Sequence, residues 1–316
     1  MSLLLGRRPP GVPPIDPPRA EGTVAVDRRR KLGYAEFGDP DGRLVLWFHG
    51  TPGGRRQLPM VGRRAAEVLG LRVVVVERPG AGDSTDHRYS CIGDWADDIA
   101  TVADHLGHDQ FAVVGLSGGG PYALACGARL DERVVGVGIL GGVVPSVGPD
   151  ASATGVVTLA RTFQPLLQLT RWPLGTALWA GLKPLTPLAH PAYQAYAHTS
   201  PPGDRIVFAD PEIEAMFIDD IFSASRHQFR AVVNDAILFG RDWGFRLADV
   251  DVPVRWWHGD SDVIVPLEGA ERALARLPRA ELHVRPGESH LGGFAAADEV
   301  LRAIDHIWTV SEKTES

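Results

Sequence analysis

Short runs of apolar and β-branched residues, each closed by glycine or proline, recur along the chain and predict eight strands. The earliest runs alternate between apolar and polar residues, which is typical of an antiparallel edge with one face exposed. The later runs are continuously apolar, as expected for parallel strands covered on both faces. The eight runs cover residues 22–27, 31–38, 44–50, 72–80, 111–117, 134–142, 252–259 and 280–287.

Amphipathic segments lie between these runs, and their periodicity predicts helices. They are RRAAEVLG, DWADDIATVADHLG, GPYALACGARL, LEGAERALARLP and ADEVLRAIDHIW. Strands that alternate with helices indicate an α/β protein. We therefore predict a mostly parallel, eight-stranded sheet flanked by helices.

The alternation stops between about Pro145 and Leu247. This stretch is rich in Leu, Trp, Pro and Tyr, and it predicts short helices interrupted by prolines, then a longer helix within 213–238. We interpret residues 146–246 as a helical cap inserted after the sixth strand of a core formed by 21–145 and 247–316. Residues 1–20, which contain many prolines and little periodicity, are predicted to form a flexible arm.

The composition is typical of a globular protein and argues against one class of partner, nucleic acids. It has 316 residues, of which 44% are hydrophobic and 22% charged, enough to bury a large core. A net charge of −7 argues against a nucleic-acid-binding protein.

Cys91 and Cys126 lack metal-ligand spacing and favour a reducing compartment. The start MSLLLGRRPP does not resemble a signal peptide, and the longest apolar stretch, 134–144, is too short to span a bilayer. We therefore expect a cytoplasmic protein without stable membrane insertion.

Ser117 is the candidate nucleophile. It lies in GLSGGGP, directly after a predicted strand and before a predicted helix. A sharp strand-to-helix turn is crowded, and the glycines at 115 and 119 relieve that crowding. The helix N-terminus also brings free N–H groups and a positive dipole end close to the hydroxyl. The alternative is a glycine-rich turn without chemistry.

A serine hydroxyl needs a base, and the base needs a group that orients it. His290, in GESHLGG, follows the last predicted strand, and active sites in open α/β sheets collect at the carboxyl ends of strands. Asp260 and Asp262 both follow the strand 252–259. We choose Asp262 as the acid, and Asp260 is the runner-up and is interpreted as a turn former. The candidate triad is Ser117, Asp262 and His290.

Five motifs in order resemble the α/β-hydrolase-fold superfamily of capped serine esterases, lipases and peptidases. They are HGTPG (49–53), ERPGAGDS (77–84), GLSGG (115–119), GDSD followed by VP (259–266) and GESH (287–290). The similarity covers about 30–145 and 247–310. One departure is Ser289, where the family often has glycine before the histidine. The 146–246 insertion matches no cap that indicates one substrate.

The resemblance implies the fold, the triad roles and an oxyanion hole formed by the backbone N–H groups of Gly118 and Thr51. In this interpretation the Thr51 side chain could vary, and His49 and Pro52 shape the loop. Relatives that open carbon–halogen bonds or epoxides use Asp where this chain has Ser117. A serine indicates attack on a carbonyl through an acyl-enzyme, with neither a metal nor an organic cofactor.

The insertion bears on the substrate. Its aromatic residues are candidates to line an apolar pocket, and it has no cluster of Arg or Lys suited to phosphate. We therefore expect a small, uncharged and fairly hydrophobic carboxylic ester. The candidate lining residues are Trp172, Trp179, Tyr193, Tyr196 and Phe217.

Several alternatives stay open. One is an aminopeptidase that resembles the proline iminopeptidases and would hold an α-ammonium group through cap carboxylates. A carbon–carbon bond hydrolase, a cofactor-free perhydrolase and a non-catalytic ligand receptor on the same fold are the others. The carboxylates available to an aminopeptidase are Asp210, Glu212, Glu214, Asp219 and Asp220.

Overall fold

One eight-stranded sheet organises the protein. A computed structural model describes residues 14–155, 157–226 and 228–315. The strand order across the sheet is β1-β2-β4-β3-β5-β6-β7-β8. The strands are β1 (Ala20–Ala25), β2 (Lys31–Gly38), β3 (Arg43–Phe48), β4 (Leu71–Val76), β5 (Phe111–Leu116), β6 (Val134–Leu140), β7 (Val254–Gly259) and β8 (Ala280–Arg285).

The sheet confirms the predicted fold class. β1 pairs antiparallel with β2, and β2 antiparallel with β4, so the alternating runs form the antiparallel edge. The other neighbouring strands are parallel. The continuously apolar runs of β3 and β5 are buried because helices cover both faces of the sheet.

Helices connect the parallel strands, and five of those described lie between β6 and β7. All the amphipathic segments of the sequence are helical, and two of the helices end at a left-handed glycine, Gly70 and Gly107. The helices are α1 (Met60–Leu69), α2 (Trp95–Leu106), α3 (Gly120–Arg129), α4 (Val157–Leu182), α5 (Ala189–Thr199), α6 (Pro202–Phe208), α7 (Pro211–Ala224), α8 (Ala231–Phe239), α9 (Leu267–Leu274), α10 (Gly292–Ala295) and α11 (Ala297–Glu315).

The inserted segment, residues 146–246, differs from its sequence pattern in two places. α4 continues through Pro165 and Pro173 instead of breaking there. Each proline removes the N–H that would bond the carbonyl four residues earlier, at Arg161 and Leu169. Both of those residues are exposed, so water can replace the missing donors.

The predicted helix within 213–238 is instead two helices, α7 and α8. Between them Phe229 forms an antiparallel bridge with Ala81, and the Arg230 N–H donates to the Gly80 carbonyl. The backbone therefore bonds to the loop after β4 rather than to its own preceding turn. This interruption brings α8 against the core.

The segment that precedes β1 contacts the core. Residues 1–13 of the predicted arm lie outside the described residues, while Ile15 packs against the core and the Asp16 carbonyl accepts a hydrogen bond from Arg63. Cys91 and Cys126 are free thiols. Among the described helices, none combines the length and the apolar character needed to cross a bilayer.

Candidate active site

Ser117 occupies a strained turn at the carboxyl end of β5. Its φ is 49°, in the left-handed region that side chains other than glycine rarely adopt. The turn also requires glycine on both sides. A Cβ on Gly115 would lie 2.5 Å from the Gly119 carbonyl oxygen, and one on Gly119 would lie 2.1 Å from the Phe48 carbonyl oxygen. The sequence thus holds the hydroxyl at the tip of a tight strand-to-helix turn, as in a nucleophile elbow.

Three loops bring Ser117, His290 and Asp262 together. His290 follows β8, and its Nε2 lies 2.7 Å from Ser117 Oγ. Its Nδ1 lies 2.7 Å from Oδ2 of Asp262, which follows β7. Asp260 does not contact His290; its Oδ1 accepts hydrogen bonds from the Gly287 N–H and the Ser261 hydroxyl. The structure therefore joins the three residues of the candidate triad and gives Asp260 a turn-forming role.

The surroundings of Asp262 keep it ionised. Burial by itself raises the pKa of Asp262, but hydrogen bonds from His258 and His290 outweigh burial and hold this pKa well below its usual range. Its Oδ1 accepts the N–H groups of Ile264 and Val265, each at 2.8 Å. An ionised carboxylate only accepts hydrogen bonds, so the proton of His290 resides on Nδ1. Nε2 is then free to accept the proton of the Ser117 hydroxyl.

His258 is a buried histidine with its own partners. Its Nδ1 accepts the indole N–H of Trp256 at 3.1 Å, so its proton is on Nε2. That Nε2 lies 2.7 Å from the Val265 carbonyl oxygen and 3.4 Å from Asp262 Oδ2. His258 therefore supports the loop that carries Asp262 and does not reach Ser117.

The residues expected to form the oxyanion hole adjoin the nucleophile. Thr51, in the loop after β3, and Gly118 both line the cavity above Ser117. The two lie so close that a Cβ on Gly118 would be 2.3 Å from Thr51 Oγ1. The Thr51 hydroxyl donates to Asp235 at 2.5 Å and accepts from Arg78 at 2.9 Å. These two bonds give the Thr51 side chain specific partners, and they argue against the expectation that it could vary.

His49 is buried and has partners of its own. Its Nδ1 lies 2.8 Å from the Gly50 carbonyl oxygen, and its Nε2 accepts the backbone N–H of Arg78 at 3.1 Å. Burial, with the positive charge of Arg78 adding to it, holds the pKa of His49 well below its usual value. His49 is thus a neutral residue that shapes the loop.

A cavity of about 290 Å³ opens above Ser117 and His290. None of its described lining residues is Asp, Glu, Lys or Arg. Thr51, Gln57, Ser117 and His290 supply its polar side chains. The apolar lining consists of Leu116, Val143, Tyr196, Phe217, Val232, Ala236, Phe239, Ile264, Leu291 and Phe294.

A larger, open groove of about 1000 Å³ lies at the amino ends of β6, β7 and β8. Its lining mixes charged and apolar residues and includes no member of the triad. Ligands of open α/β sheets bind at the carboxyl ends of the strands. The smaller cavity is therefore the candidate substrate site.

Only some of the aromatic residues expected to line this cavity are found there. Tyr196 and Phe217 contribute to the described lining, but Trp172, Trp179 and Tyr193 do not. Tyr193 is buried in a separate cluster with Phe208 and Ile218. Trp172 is 58% exposed, with the Arg230 guanidinium 3.5 Å from its ring centroid. Aromatic content alone could not tell lining residues from packing residues.

The five carboxylates named for an aminopeptidase all have other partners. Asp210 caps α7 by accepting the Glu212 N–H at 2.8 Å, and Glu212 itself pairs with Arg64. Glu214 bonds His190, and it accepts from Gln194 at 3.0 Å. Each of these three side chains contacts a surface or cap residue outside the cavity lining.

The remaining two carboxylates bind the segment that follows Thr51 and Pro52. Asp219 pairs with the Arg56 guanidinium at 2.9 Å. Asp220 is fully buried and accepts the N–H groups of Gly54 and Arg56 at 2.9 and 3.0 Å. None of the five is among the described residues that line the cavity.

Sequence reasoning missed two acidic residues of the inserted segment that contact the catalytic loops. Asp204 of α6 accepts the Leu291 N–H, next to His290, at 2.8 Å. Asp235 of α8 bonds the Thr51 hydroxyl. Both are buried. The signal for Asp235 was a single acid within the apolar run AVVNDAILF, which is costly unless the acid is paired.

Comparisons with known proteins agree with this fold. A model of the alpha/beta hydrolase family matches residues 44–303. A proline iminopeptidase from Xanthomonas citri is 26% identical, over 91% of this chain and 96% of its own.

Among solved structures, an esterase from Thermogutta terrifontis superposes with a TM-score of 0.59 at 20% identity, covering 94% of this chain and all of that one. The esterase RhEst1 from Rhodococcus sp. ECU1013 gives 0.61 at 18% identity, covering 92% and 98%. At these identities the solved structures show a shared fold.

Proposed function

The chain belongs to the alpha/beta hydrolase family, and we propose that it is a serine hydrolase that cleaves uncharged, fairly hydrophobic carboxylic esters. The observation that carries this proposal is the cavity above Ser117, whose described lining is mostly apolar and holds no Asp, Glu, Lys or Arg. A charged substrate would lose its hydration there without gaining a counter-charge. An ester with an apolar acyl group matches the lining, and the inserted segment acts as a cap over it.

The first half of the reaction forms an acyl-enzyme. Ser117 Oγ attacks the carbonyl carbon while its proton passes to His290 Nε2, 2.7 Å away. Asp262 stabilises the resulting imidazolium through Nδ1. The negative charge that develops on the carbonyl oxygen is stabilised by the backbone N–H groups of Thr51 and Gly118. When the tetrahedral intermediate collapses, the ester C–O bond breaks and His290 returns the proton to the departing alkoxide.

The second half releases the acid. Water replaces the alcohol, and His290 Nε2 takes one of its protons as the oxygen attacks the acyl carbon. A second tetrahedral intermediate then expels Ser117 Oγ, which recovers its proton from His290. The products are one alcohol and one carboxylic acid, and the enzyme returns to its starting state.

An aminopeptidase is the second candidate, because curated relatives over most of the chain are named proline iminopeptidases. The same triad chemistry would apply to an amide. A free α-ammonium group, however, requires a nearby counter-charge in an apolar site. The cap carboxylates available for that are engaged with Arg64, His190, Arg56 and backbone N–H groups. This distribution of charge favours the ester.

The test compares esters with amides on one preparation. We expect kcat/KM to rise through p-nitrophenyl acetate, butyrate and hexanoate until the cavity is full, by up to about fourfold per methylene. Prolyl and alanyl p-nitroanilides should be cleaved slowly. Ser117→Ala should abolish ester turnover, whereas the exposed control Ser90→Ala should retain it.

Labelling with a fluorophosphonate probe checks the nucleophile independently of the substrate. The probe loses fluoride as Ser117 Oγ bonds to phosphorus, so the adduct should map to Ser117 by mass spectrometry. A flat ester series with fast amide cleavage would select the aminopeptidase. Ligand binding without turnover or labelling would select a receptor.

A further inference from the structure

The carboxylate of Asp235 lies within a helix whose other residues, apart from Asn234, are apolar. α8 has the sequence AVVNDAILF, and Asp235 is 2% exposed. Desolvation makes a buried carboxylate destabilising unless it is paired and hydrogen-bonded. The partners of Asp235 therefore indicate which role this buried carboxylate has.

Asp235 has one charged partner and two hydroxyl partners. Arg78, itself 1% exposed, donates from Nε to Oδ1 and Oδ2 at 3.1 and 3.0 Å and from Nη2 to Oδ2 at 2.8 Å. The Tyr122 hydroxyl donates to Oδ1 at 2.7 Å. The Thr51 hydroxyl donates to Oδ2 at 2.5 Å. The charge is balanced, and both carboxylate oxygens are satisfied.

Thr51 and Tyr122 belong to the two segments proposed to form the oxyanion hole, and Arg78, in the loop after β4, bonds to the first of these segments. Arg78 also donates to the carbonyl oxygens of His49 and Gly50 at 2.5 and 2.9 Å and to Thr51 Oγ1 at 2.9 Å. The guanidinium and the carboxylate thus hold the loop that carries the Thr51 N–H. Because Thr51 Oγ1 accepts from Arg78, its own proton is directed to Asp235.

Tyr122 connects the same carboxylate to the other half of the hole. It lies in the first turn of α3, which begins at Gly120 immediately after the turn that contains Gly118. Burial and the nearby charge of Asp235 raise the pKa of Tyr122 well above its usual value, so the hydroxyl stays a donor. One carboxylate therefore bonds to both segments whose N–H groups face the oxyanion.

We propose that Asp235 is a positioning residue that fixes the distance between the Thr51 and Gly118 N–H groups, acting through the hydroxyls of Thr51 and Tyr122. This inference rests on the proposed function, since it concerns the oxyanion hole of that reaction. Stabilisation of an oxyanion depends on donors held about 2.7–3.1 Å from the developing charge. The inserted segment, through α8, thereby contributes to the chemistry as well as covering the cavity.

The most direct variant is Thr51→Val, which replaces the hydroxyl by a methyl group of similar size. It leaves Asp235 paired with Arg78 and Tyr122, so the buried charge keeps a partner. We expect kcat for p-nitrophenyl butyrate to fall by about 10- to 100-fold, with KM changed by less than about threefold. Thr51→Ser, which restores the hydroxyl, should recover most of the lost kcat.

Asp235→Asn tests the carboxylate itself, and Asp98→Asn is its matched control. Asp98 is also buried, and it pairs with an arginine, Arg30, and a tyrosine hydroxyl, Tyr89, but it is not among the described residues lining the cavity. Asp235→Asn leaves the buried Arg78 without its counter-charge. Asp98→Asn removes one of the two carboxylates that pair with Arg30, which keeps Asp27, so both substitutions should lower the melting temperature. Only Asp235→Asn should lower the kcat of the folded enzyme.

Binding of a hexyl trifluoromethyl ketone separates positioning from general damage. Ser117 Oγ adds to its carbonyl carbon, the proton moves to His290, and the carbonyl oxygen becomes an oxyanion in the hole. The affinity for this ketone should fall in Thr51→Val by the same factor as kcat, while the affinity for the corresponding ether, which forms no oxyanion, should not change.

Each outcome decides the inference. Wild-type kcat and ketone affinity in Thr51→Val would overturn it, and so would equal losses of kcat in Asp235→Asn and Asp98→Asn. The proposed ester function fails separately, if the wild-type protein cleaves the amides and not the esters. In that case the same variants are compared on the amide, because the oxyanion hole serves both reactions. A wild-type protein that cleaves neither removes both proposals.

Discussion

His290 and Asp262 meet through one short contact, 2.7 Å between Nδ1 and Oδ2, although they are carried by loops after two different strands. The contact is buried, with His290 6% and Asp262 5% exposed. It fixes the imidazole tautomer, since an ionised carboxylate accepts and cannot donate. The identity of the acid is therefore open to a simple test.

Asp262→Asn should reduce kcat far more than Asp260→Asn. An asparagine at 262 can keep the bonds from Ile264 and Val265 while presenting an N–H to His290, which favours the tautomer that cannot accept the serine proton. Loss of the acid costs on the order of 10⁴ in kcat in a Ser-His-Asp system. Asp260→Asn, which alters only a turn, should stay within about tenfold of the wild-type kcat. Steady-state kinetics on p-nitrophenyl butyrate compares the two, and an inactive Asp260→Asn beside an active Asp262→Asn would make Asp260 the acid.

Gly119→Ala should disrupt the nucleophile turn. Its new Cβ would lie 2.1 Å from the Phe48 carbonyl oxygen and 2.8 Å from that of His49, and neither backbone atom can move cheaply. We expect a loss of stability on the order of 3 kcal/mol, together with loss of fluorophosphonate labelling at Ser117. Urea unfolding and mass spectrometry measure the two effects.

The control for this substitution is Gly181→Ala in α4, where an added Cβ meets nothing within 4 Å. It should stabilise the protein slightly, by up to about 1 kcal/mol, because alanine has a higher helix propensity than glycine. Equal stability of Gly119→Ala and wild-type protein would refute the crowded turn.

Ala236→Leu should reduce the preference of the enzyme for long acyl groups. Ala236 lines the cavity from α8, so a larger side chain there occupies part of the 290 Å³ volume. We expect the ratio of kcat/KM for p-nitrophenyl octanoate to that for the acetate to fall by about tenfold or more. Ala180→Leu, on the exposed side of α4, adds the same apolar volume outside the cavity and should leave the ratio unchanged. If both variants keep the wild-type ratio, the acyl group binds elsewhere.

Glu77→Gln should change how stability depends on pH. Glu77 is fully buried, and its Oε2 accepts from Arg55 Nη1 and from the Asp83 N–H, each at 2.9 Å. Burial raises the pKa of Glu77 from 4.5 to about 7, against the lowering effect of Arg55. Between those two values the folded protein holds a proton that the unfolded chain releases. The stability contributed by this proton is present below about pH 4.5 and is lost as the pH rises through about 7.

The measurement is the difference in free energy of unfolding between wild-type and Glu77→Gln protein at pH 5 and pH 8. We expect wild-type protein to lose on the order of 2 kcal/mol relative to the variant over this interval. Taking the difference cancels shared groups that do not respond to the charge of Glu77, such as His49. Burial raises the pKa of Asp220 to about 7 and the charge of Glu77 adds to this, so a change at Asp220 is part of the measured difference. Glu21, whose pKa arginine hydrogen bonds lower to about 2 against the effect of burial, acts at more acidic pH. The exposed control Glu67→Gln should track the wild type, and a parallel course for Glu77→Gln would contradict the prediction.

Local sequence patterns were enough to predict the eight strands of the sheet and the order of the candidate catalytic residues along the chain. The eight strands were recognisable because their signals are local: β-branched runs, closing glycines and a switch from alternating to continuous apolar residues. The positions of Ser117, Asp262 and His290 follow from the same local pattern, since each lies just past a strand and parallel strands present their carboxyl ends at one edge. The need for glycine at 115 is likewise local, because an added Cβ would meet Gly119, whereas at Gly119 it would meet the carbonyl of Phe48 in another strand.

Tertiary structure alone decided the organisation of the inserted segment. Nothing local indicated that α4 continues through two prolines, since this depends on which carbonyls face water. The same holds for Asp235 and Thr51, which are 184 residues apart in the chain and 2.5 Å apart in space. The sequence shows that a charged residue is present, but the role of that residue depends on the partners that it contacts in the folded protein. Those partners come from distant segments, so only the packed structure could assign them.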